Sequence, residues 1–431
     1  MKPYPRYKPT GLAWLPSVPE HWEVVRGKQL FRPIDERSKT GSEQLLSVSE
    51  RHGVVRRENA NVTMFMAQSY EGYKLCWPDD LAINSLWAWS YGLGFSHDFG
   101  IISTAYSVFR LKDKEQAIPQ FYDYFLRSSA FHWEMRVRSK GLWKSRYQLS
   151  DADFLSAPMI LPPPSEQECI VRYLDEKTAA IDELVRAKER QIELMRERKQ
   201  ALVSAAVTGG LDPATERKDS GVPWIGKIPK KWNVAKTGHL FHMVLGKMLA
   251  NAPSSPTDTF ERYACAKDVH FSGVDTSDLK EMWFSPEEKR LYQTRHGDLL
   301  IVEGGAGAGG AAIVEDDGGY CIQNSIHLLR SKHDLGWTPF LKYWIYSLVS
   351  RGYIEHACNK ATIPHFTKDK VFNMPIPVPP LPEQERIVAH LDSVCSELDA
   401  AEAAIRKQIA LLQELRTRLV SDAVTGAVEV S

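Results

Sequence analysis

The chain predicts an α+β protein built twice. Two mixed domains stand in tandem, each followed by a long helix, and the two helices pair as an antiparallel coiled coil about a pseudo-twofold axis. Three observations carry this expectation. "PPPSEQECIVRYLD" at residues 162–175 returns as "PPLPEQERIVAHLD" at 379–392. "SVPEHWEVVRGKQLF" at 17–31 returns as "KIPKKWNVAKTGHLF" at 227–241. After each copy of the first motif, apolar residues recur every seven positions. A repeat period near half the chain is a tandem domain duplication, not a solenoid.

The opening block places Pro19, Trp22, Val24, Leu30 and Phe31 over Pro229, Trp232, Val234, Leu240 and Phe241. The fillings that follow have drifted apart. They read as α+β: "PDDLAIN" (78–84) and "HGDLLIVEG" (296–304) are turn-then-strand signals, and 118–136 and 338–357 are aromatic-rich amphipathic helices. The resulting boundaries are 1–158 for the first domain, 159–212 for its helix, 213–375 for the second domain and 376–431 for its helix.

Each long helix starts after a proline pair. Ser165 to Glu168 has capping-box spacing, and acidic residues in the first turn suit the helix dipole. Gly209 and Gly426 sit where a C′ glycine would end the helix. About 40 residues between caps make roughly 60 Å of helix at 1.5 Å per residue. Leu391, Leu398, Ile405, Leu412 and Leu419 form a seven-residue stripe, with Ile387, Val394, Ala401 and Leu415 as its complement and Gln408 interrupting. The first copy carries Leu174, Ile181, Met195 and Leu202, broken by Lys188, with a poorer complement of Ile170, Lys177, Leu184, Gln191 and Arg198. A sustained heptad pattern predicts a coiled coil. The alternative is an amphipathic helix lying on its own domain.

Net charge is zero, but its distribution is uneven. Residues 1–150 hold 21 Lys/Arg against 15 Asp/Glu, and residues 213–376 hold 20 against 18. The helical stretches are acidic, with 8 against 12 over 151–212 and 5 against 9 over 377–431. The start, "MKPYPRYKPT", carries no apolar signal segment, and no apolar run is long enough to span a membrane. Six scattered cysteines without a C-x-x-C pair argue against a zinc site or disulfide framework and suit a reducing cytoplasm.

"GAGAGG" (305–310) fits G-x-G-x-x-G, but "AAIVEDDGGYCIQNSI" follows, which reads as strand, acidic turn, strand. A dinucleotide site needs a helix there. No Walker, zincin, nucleophile-elbow, methyltransferase or helicase motif occurs, and the 13 histidines do not cluster at ligand spacing. The chain reads as a recognition scaffold, with no catalytic residue and no metal site.

Loops that mix basic, aromatic and amide residues are the candidate recognition surface. In the first domain they are 84–97 and 136–150, offering Asn84, Trp89, Ser96, Arg138, Lys140, Lys144 and Arg146, with Trp143 and Tyr147 interleaved. In the second they are 322–330 and 359–370, offering Asn324, His327, Lys360, Thr362, His365 and Lys368. Such residues supply phosphate contacts and bidentate donors for base edges. For Trp87 and Trp89, core packing is an equal alternative.

The doubled P-P-x-x-E-Q-E, the doubled I/V-P-x-x-W and the V-T-G helix ends resemble the specificity subunit of type I restriction–modification enzymes, over nearly the whole chain. The resemblance implies two target-recognition domains, each reading one half of a split, asymmetric DNA sequence. It implies that the helices set the spacing and dock two modification (methyltransferase) subunits, and that restriction subunits join that core. The cofactors S-adenosylmethionine and ATP/Mg would then belong to those partners and none to this chain. The first filling resembles one recognition-domain subtype at Asn84, Trp89, Ser96, Gly100, Ser103 and Tyr106. The second resembles another at Gly305, Gly307, Asn324, His327, Thr362, Pro364 and His365. Two rival readings are a coiled-coil scaffold joining two modules that do not bind DNA, and a nucleotide-dependent enzyme using Gly305–Gly310.

Overall fold

A computed structural model describes residues 2–50, 52–60, 69–141, 147–305, 307–316, 318–332, 336–357 and 365–430. It divides into two compact units, Met1–Lys188 with Arg406–Ser431, and Glu189–Ile405.

In the first unit, β1 (Phe31–Ile34), β2 (Asp80–Asn84), β3 (Leu93–Phe95) and β4 (Tyr106–Leu111) form an antiparallel sheet in the order β1–β4–β2–β3. Ile83, Val108 and Phe109 are buried in it, as β-branched and aromatic side chains on a pleated surface should be, and Leu81 is buried beside them. The second unit repeats this plan. β5 (Phe241–Leu245), β6 (Leu299–Val302), β7 (Ala311–Ile313) and β8 (Ile326–Ser331) run in the order β5–β8–β6–β7. The two turn-then-strand signals are therefore β2 and β6. The stretch after the glycine-rich loop is strand β7, so β6 and β7 form a hairpin and no helix follows Gly310. That removes the dinucleotide reading of Gly305–Gly310.

The aromatic helices are shorter than their periodicity suggests. The first breaks into Pro119–Leu126 and Ser129–Arg138, because the Ser128 hydroxyl accepts from Phe131 N and starts a new helix. The second stops at Ser350, and Gly352 (φ 70°) separates it from Tyr353–Ala357.

The repeated motifs build the frame. Glu23–Arg26 pairs antiparallel with Pro158–Leu161, the strand entering the first long helix. Asn233–Lys236 pairs likewise with Pro375–Val378 before the second. The long helices are Pro164–Gly209 and Leu381–Val424. Ser165 lies inside the first. Its start is tied by Gln167, whose amide donates to the carbonyls of Gln116 and Pro162 and accepts from Ile118 N. Gln384 repeats the bond to Pro379. The left-handed residue that ends the first helix is Gly210 (φ 74°), one position beyond the expected Gly209; in the second copy it is Gly426 (φ 71°).

Within each unit, portions of the two helices run in opposite directions. In the first, Asp182 pairs with Arg416, and Lys188 donates to Gln408 at 2.6 Å. In the second, Arg196 pairs with Glu402, and Lys199 with Asp399. Each step up one helix is matched by a step down the other. Of the predicted stripe, Leu174, Ile181, Leu391 and Ile405 are buried, while Met195, Leu202, Leu398, Leu412 and Leu419 are half-buried.

The complementary row starts where the heptad count placed it, with Ile170 and Ile387 buried, but further along it lies one residue later. There it consists of Thr178, Val185, Ile192 and Lys199 on one helix, and Cys395, Glu402, Ile409 and Arg416 on the other. Leu184, Gln191, Arg198, Ala401, Gln408 and Leu415 face outward. Three of the four cross-helix polar contacts have one member on that row, namely Arg416, Glu402 and Lys199, so ionic pairs hold part of the seam that apolar residues were expected to fill.

The helix ends complete the cores. Val420, Ala423 and Val424 lie in the core of the first unit with Trp22 and Phe31. Val203, Ala206 and Val207 lie in that of the second with Trp232 and Phe241. A Cβ on Gly426 would come within 2.9 Å of the Trp22 ring and closer still to Pro19, which is why the position takes glycine. Among the described residues no helix is long and apolar enough to cross a membrane.

Candidate nucleic-acid interface

The two fillings share a buried clasp that their sequences conceal. In the first unit, Arg110 on β4 makes a bidentate pair with Asp80 at the start of β2, at 2.6 and 2.8 Å. In the second, Arg330 on β8 makes the same pair with Asp298, just ahead of β6, at 2.7 and 2.8 Å. Each aspartate also accepts from the backbone three residues earlier, Trp77 N and Arg295 N. Both carboxylates are almost wholly buried, and the planar guanidinium fork satisfies them where a lysine could not. The clasp fixes the turn entering the central strand, and that strand carries the turn that follows it.

At the far end of β2 that turn is Asn84–Gly92. Asn84 is half-buried and hydrogen-bonds Tyr106. Trp89 is half-buried, its Nε1 donating to the Leu86 carbonyl, while Trp87 is 54% exposed. Core packing therefore does not account for Trp87. The His132 ring nitrogen Nε2 lies 2.6 Å from the Trp89 carbonyl and pins the turn to helix 129–138. Burial lowers the His132 pKa, partly offset by that carbonyl, so the neutral ring donates.

Beyond β6 the corresponding turn is the glycine-rich loop. His327 on β8 is fully buried, and its Nε2 lies 3.0 Å from the Phe366 carbonyl. Phe366 N in turn donates to the Glu303 carbonyl, and Gly304 bridges His365. Burial lowers the His327 pKa, against the raising effect of the carbonyl bond. His132 thus pins the first turn directly, and His327 holds the second through Phe366 and Glu303, a parallel invisible in sequence because the two histidines lie on different elements.

Several predicted residues take other places. Ser96 is buried, and its hydroxyl donates to the Asp98 carbonyl at 2.7 Å, so it shapes a turn. His327 is internal, its side chain fully buried. Arg138 is held by Glu134 and Ser156, and Lys140 by Asp153, although the Lys140 side chain is 74% exposed. Asn324 is half-buried on the Gln323–Ser325 turn, while His365 and Lys368 are exposed. Lys144, Arg146, Lys360, Thr362 and Pro364 lie outside the described residues. No group of three metal-ligating side chains occurs among the described residues.

The geometry defines a tandem of two sheet-and-turn domains on paired helices, and this is the fold of type I specificity subunits. A solved chain from work on complex assembly and conformational transition of the type I R-M system superposes with a TM-score of 0.71 at 20% identity, covering 95% of this chain and 99% of that one. The HsdS subunit of Thermoanaerobacter tengcongensis superposes at 0.53 and 21% identity, over 95% and 98%.

Sequence comparison points to the same class. Residues 229–411 match the family model of the Type I restriction modification DNA specificity domain. The chain is similar to the type I restriction enzyme EcoBI specificity subunit of Escherichia coli, 23% identical over 278 residues, which is 62% of this chain and 57% of that protein's length. It is also similar to the StySPI specificity subunit of Salmonella potsdam, 22% identical over 340 residues, 78% of this chain and 70% of the other. The resemblance read from the repeated frame is borne out.

Proposed function

We propose that this chain is the DNA-reading, non-catalytic subunit of a type I restriction–modification complex. Each unit reads one half of a bipartite, asymmetric target, and the long helices set the gap and dock two methyltransferase subunits. The observation that carries the reading is the pairing of an identical mount with different cargo. The same sheet order and the same Arg–Asp clasp present a tryptophan turn in one unit and a glycine-rich loop in the other. S-adenosylmethionine belongs on the methyltransferase subunits, and ATP with Mg on restriction subunits where these join. The basic excess of residues 1–150 supports phosphate binding, with the partners completing the grip on the duplex.

Methylome sequencing of host DNA with and without the chain tests this directly. The expected result is one methylated motif, present only with the chain, with two different half-sites around a fixed gap. A perfectly palindromic motif sinks the two-cargo reading. Lys144→Ala and Arg146→Ala should weaken binding or relax the first half-site alone, and Thr362→Ala with His365→Ala the second alone. Removing a side chain that reads a base edge costs about 1–3 kcal/mol at that position, whereas removing one that holds a phosphate weakens binding to all sequences alike.

A further inference from the structure

The Asn84–Gly92 turn is rigid where a surface loop has no need to be. Trp87 N donates to Asn84 O, Gly92 N to Trp87 O, and Asn84 N to Gly92 O, all within 2.9 Å. Trp89 donates to Leu86 O, and Tyr91, in a left-handed conformation (φ 59°), stacks on His132 with ring centroids 4.0 Å apart and planes at 11°. A Cβ at Gly92 would lie 2.8 Å from Trp87, so the turn closes tightly onto that residue. All this order serves to hold two apolar side chains in water: Leu86 is 46% and Trp87 54% exposed. The Trp87 ring is backed by Trp89 at 5.8 Å and 22°, and Tyr147 braces Trp89 edge-on at 6.1 Å.

An aromatic face held still before any ligand arrives has already given up the rotamer freedom that binding would otherwise remove. The surroundings select its partner. Arg136 and Lys140 are exposed near the end of the helix that anchors the turn, and the first 150 residues carry the chain's largest basic excess. A polyanion that presents flat apolar faces is a stack of nucleobases.

We propose that this turn is a preformed aromatic wedge: Trp87, with Leu86 beside it, enters the base stack at one step of the first half-site and unstacks it. The proposal rests on the DNA-reading function above and adds a device to it. Apolar side chains pushed between base steps kink the duplex and make sequence-dependent deformability part of what is read. Trp89 then acts as a positioning residue, since its Nε1 is committed to Leu86. The glycine-rich loop of the second unit has no aromatic residue between Glu303 and Gly310, so that loop offers no such wedge.

The test uses the full chain assembled with its methyltransferase subunits. The probe is a duplex bearing the methylated motif, with 2-aminopurine substituted at one position at a time. The wild type should raise fluorescence at one step of the first half-site and nowhere in the second. Trp87→Ala should abolish the rise and weaken binding on the order of ten- to a hundredfold, the size of one missing base–aromatic stack, while Trp87→Phe keeps both largely intact. Flat fluorescence throughout the wild-type complex overturns the wedge without any variant. So does a rise that survives Trp87→Ala, or a Trp87→Ala chain that fails to assemble with the methyltransferase yet still unstacks the DNA it meets. Absence of any sequence-specific methylation would instead sink the DNA-reading function itself.

Discussion

The two units close their frames with the same tryptophan, and only one of the tryptophans is satisfied. In the first, Trp22 Nε1 donates to Glu166 at 2.9 Å, Tyr4 donates to the same carboxylate at 2.8 Å, and His21 lies 2.6 Å from its other oxygen. In the second, Trp232 is equally buried, but its Nε1 has no partner among the described residues, although Glu383 lines the same 370 Å³ cavity. Ala214 and Lys231 stand at the places of Tyr4 and His21 in the repeat. Two diverged copies can keep a shape while losing the bonds that once enforced it. Apolar burial of the ring suffices to place it, and the hydrogen bonds add stability where they survive.

The largest test of this duplication is to remove one copy. Truncation after Leu211 leaves a first unit without Val420, Ala423 and Val424, but with Val203, Ala206 and Val207, which fill the equivalent place in the second unit. A second molecule should supply them reciprocally. Sedimentation is expected to show a dimer, and a methylation map a symmetric target of the first half-site and its inverted repeat. A monomer, or a dimer that marks the original asymmetric sequence, breaks the equivalence of the units.

Next in size is the clasp. Asp80→Ala leaves Arg110 only its looser pair with Glu36 at 3.7 Å, and Asp298→Ala leaves Arg330 its bond to the Gln293 carbonyl. Losing one partner of a buried pair costs about 3–5 kcal/mol. Hydrogen exchange should show each variant loosening its own unit alone, and a shared response would mean the units are not independent.

The frame tryptophans sharpen the comparison further. Trp22→Phe should cost about 1–2 kcal/mol more than Trp232→Phe in denaturant, because only the first removes a bond to a carboxylate. Glu166 adds a pH signature. Burial raises its pKa, but the bonds from Trp22, Tyr4 and His21 outweigh that and hold it below the ordinary carboxylate value. A depressed carboxylate contributes stability above its unfolded pKa, and that contribution is lost as pH falls through the folded one. Acidification below about pH 4 should therefore cost the wild type more stability than Glu166→Gln. Equal acid sensitivity would remove these bonds to Glu166 from the account.

The smallest effect concerns the histidine pins. Burial holds His132 and His327 below the usual histidine pKa, so their folded-state stability is full above that value and falls away as pH drops below about 6.5. Both turns should gain exchange rate between about pH 7 and about pH 5. A turn that stays protected over that range is held by something other than its histidine.

Much of this architecture is legible in the sequence, because repetition exposes the frame and seven-residue spacing exposes the helices. What escapes has physical reasons. Leucines lie on both flanks of the helical stripe, at Leu184, Leu194, Leu411 and Leu415, so apolarity alone does not say which flank is buried. The structure exposes all four and turns inward the flank of Val185, Ile192, Cys395 and Ile409, where Lys199, Glu402 and Arg416 find ionic partners. Ser128 splits a helix whose aromatic period runs on unbroken. Of the candidate recognition surface, the loops are readable but the roles are not. Ser96 and His327 are polar residues whose burial depends on the whole fold, and Trp87 is exposed because its turn is braced from behind.

The core composition of the first unit also dictates an order of birth. Glu189–Ile405 is continuous in sequence, but the first unit waits for Arg406 onward. At roughly 5–20 residues per second, the ribosome needs on the order of 10–40 seconds to travel from Lys188 to that point. Through that interval the nascent first domain shows its unfilled groove to the cell. The domain translated first is thus the last to mature, and a stop codon a few residues early would injure the beginning of the protein.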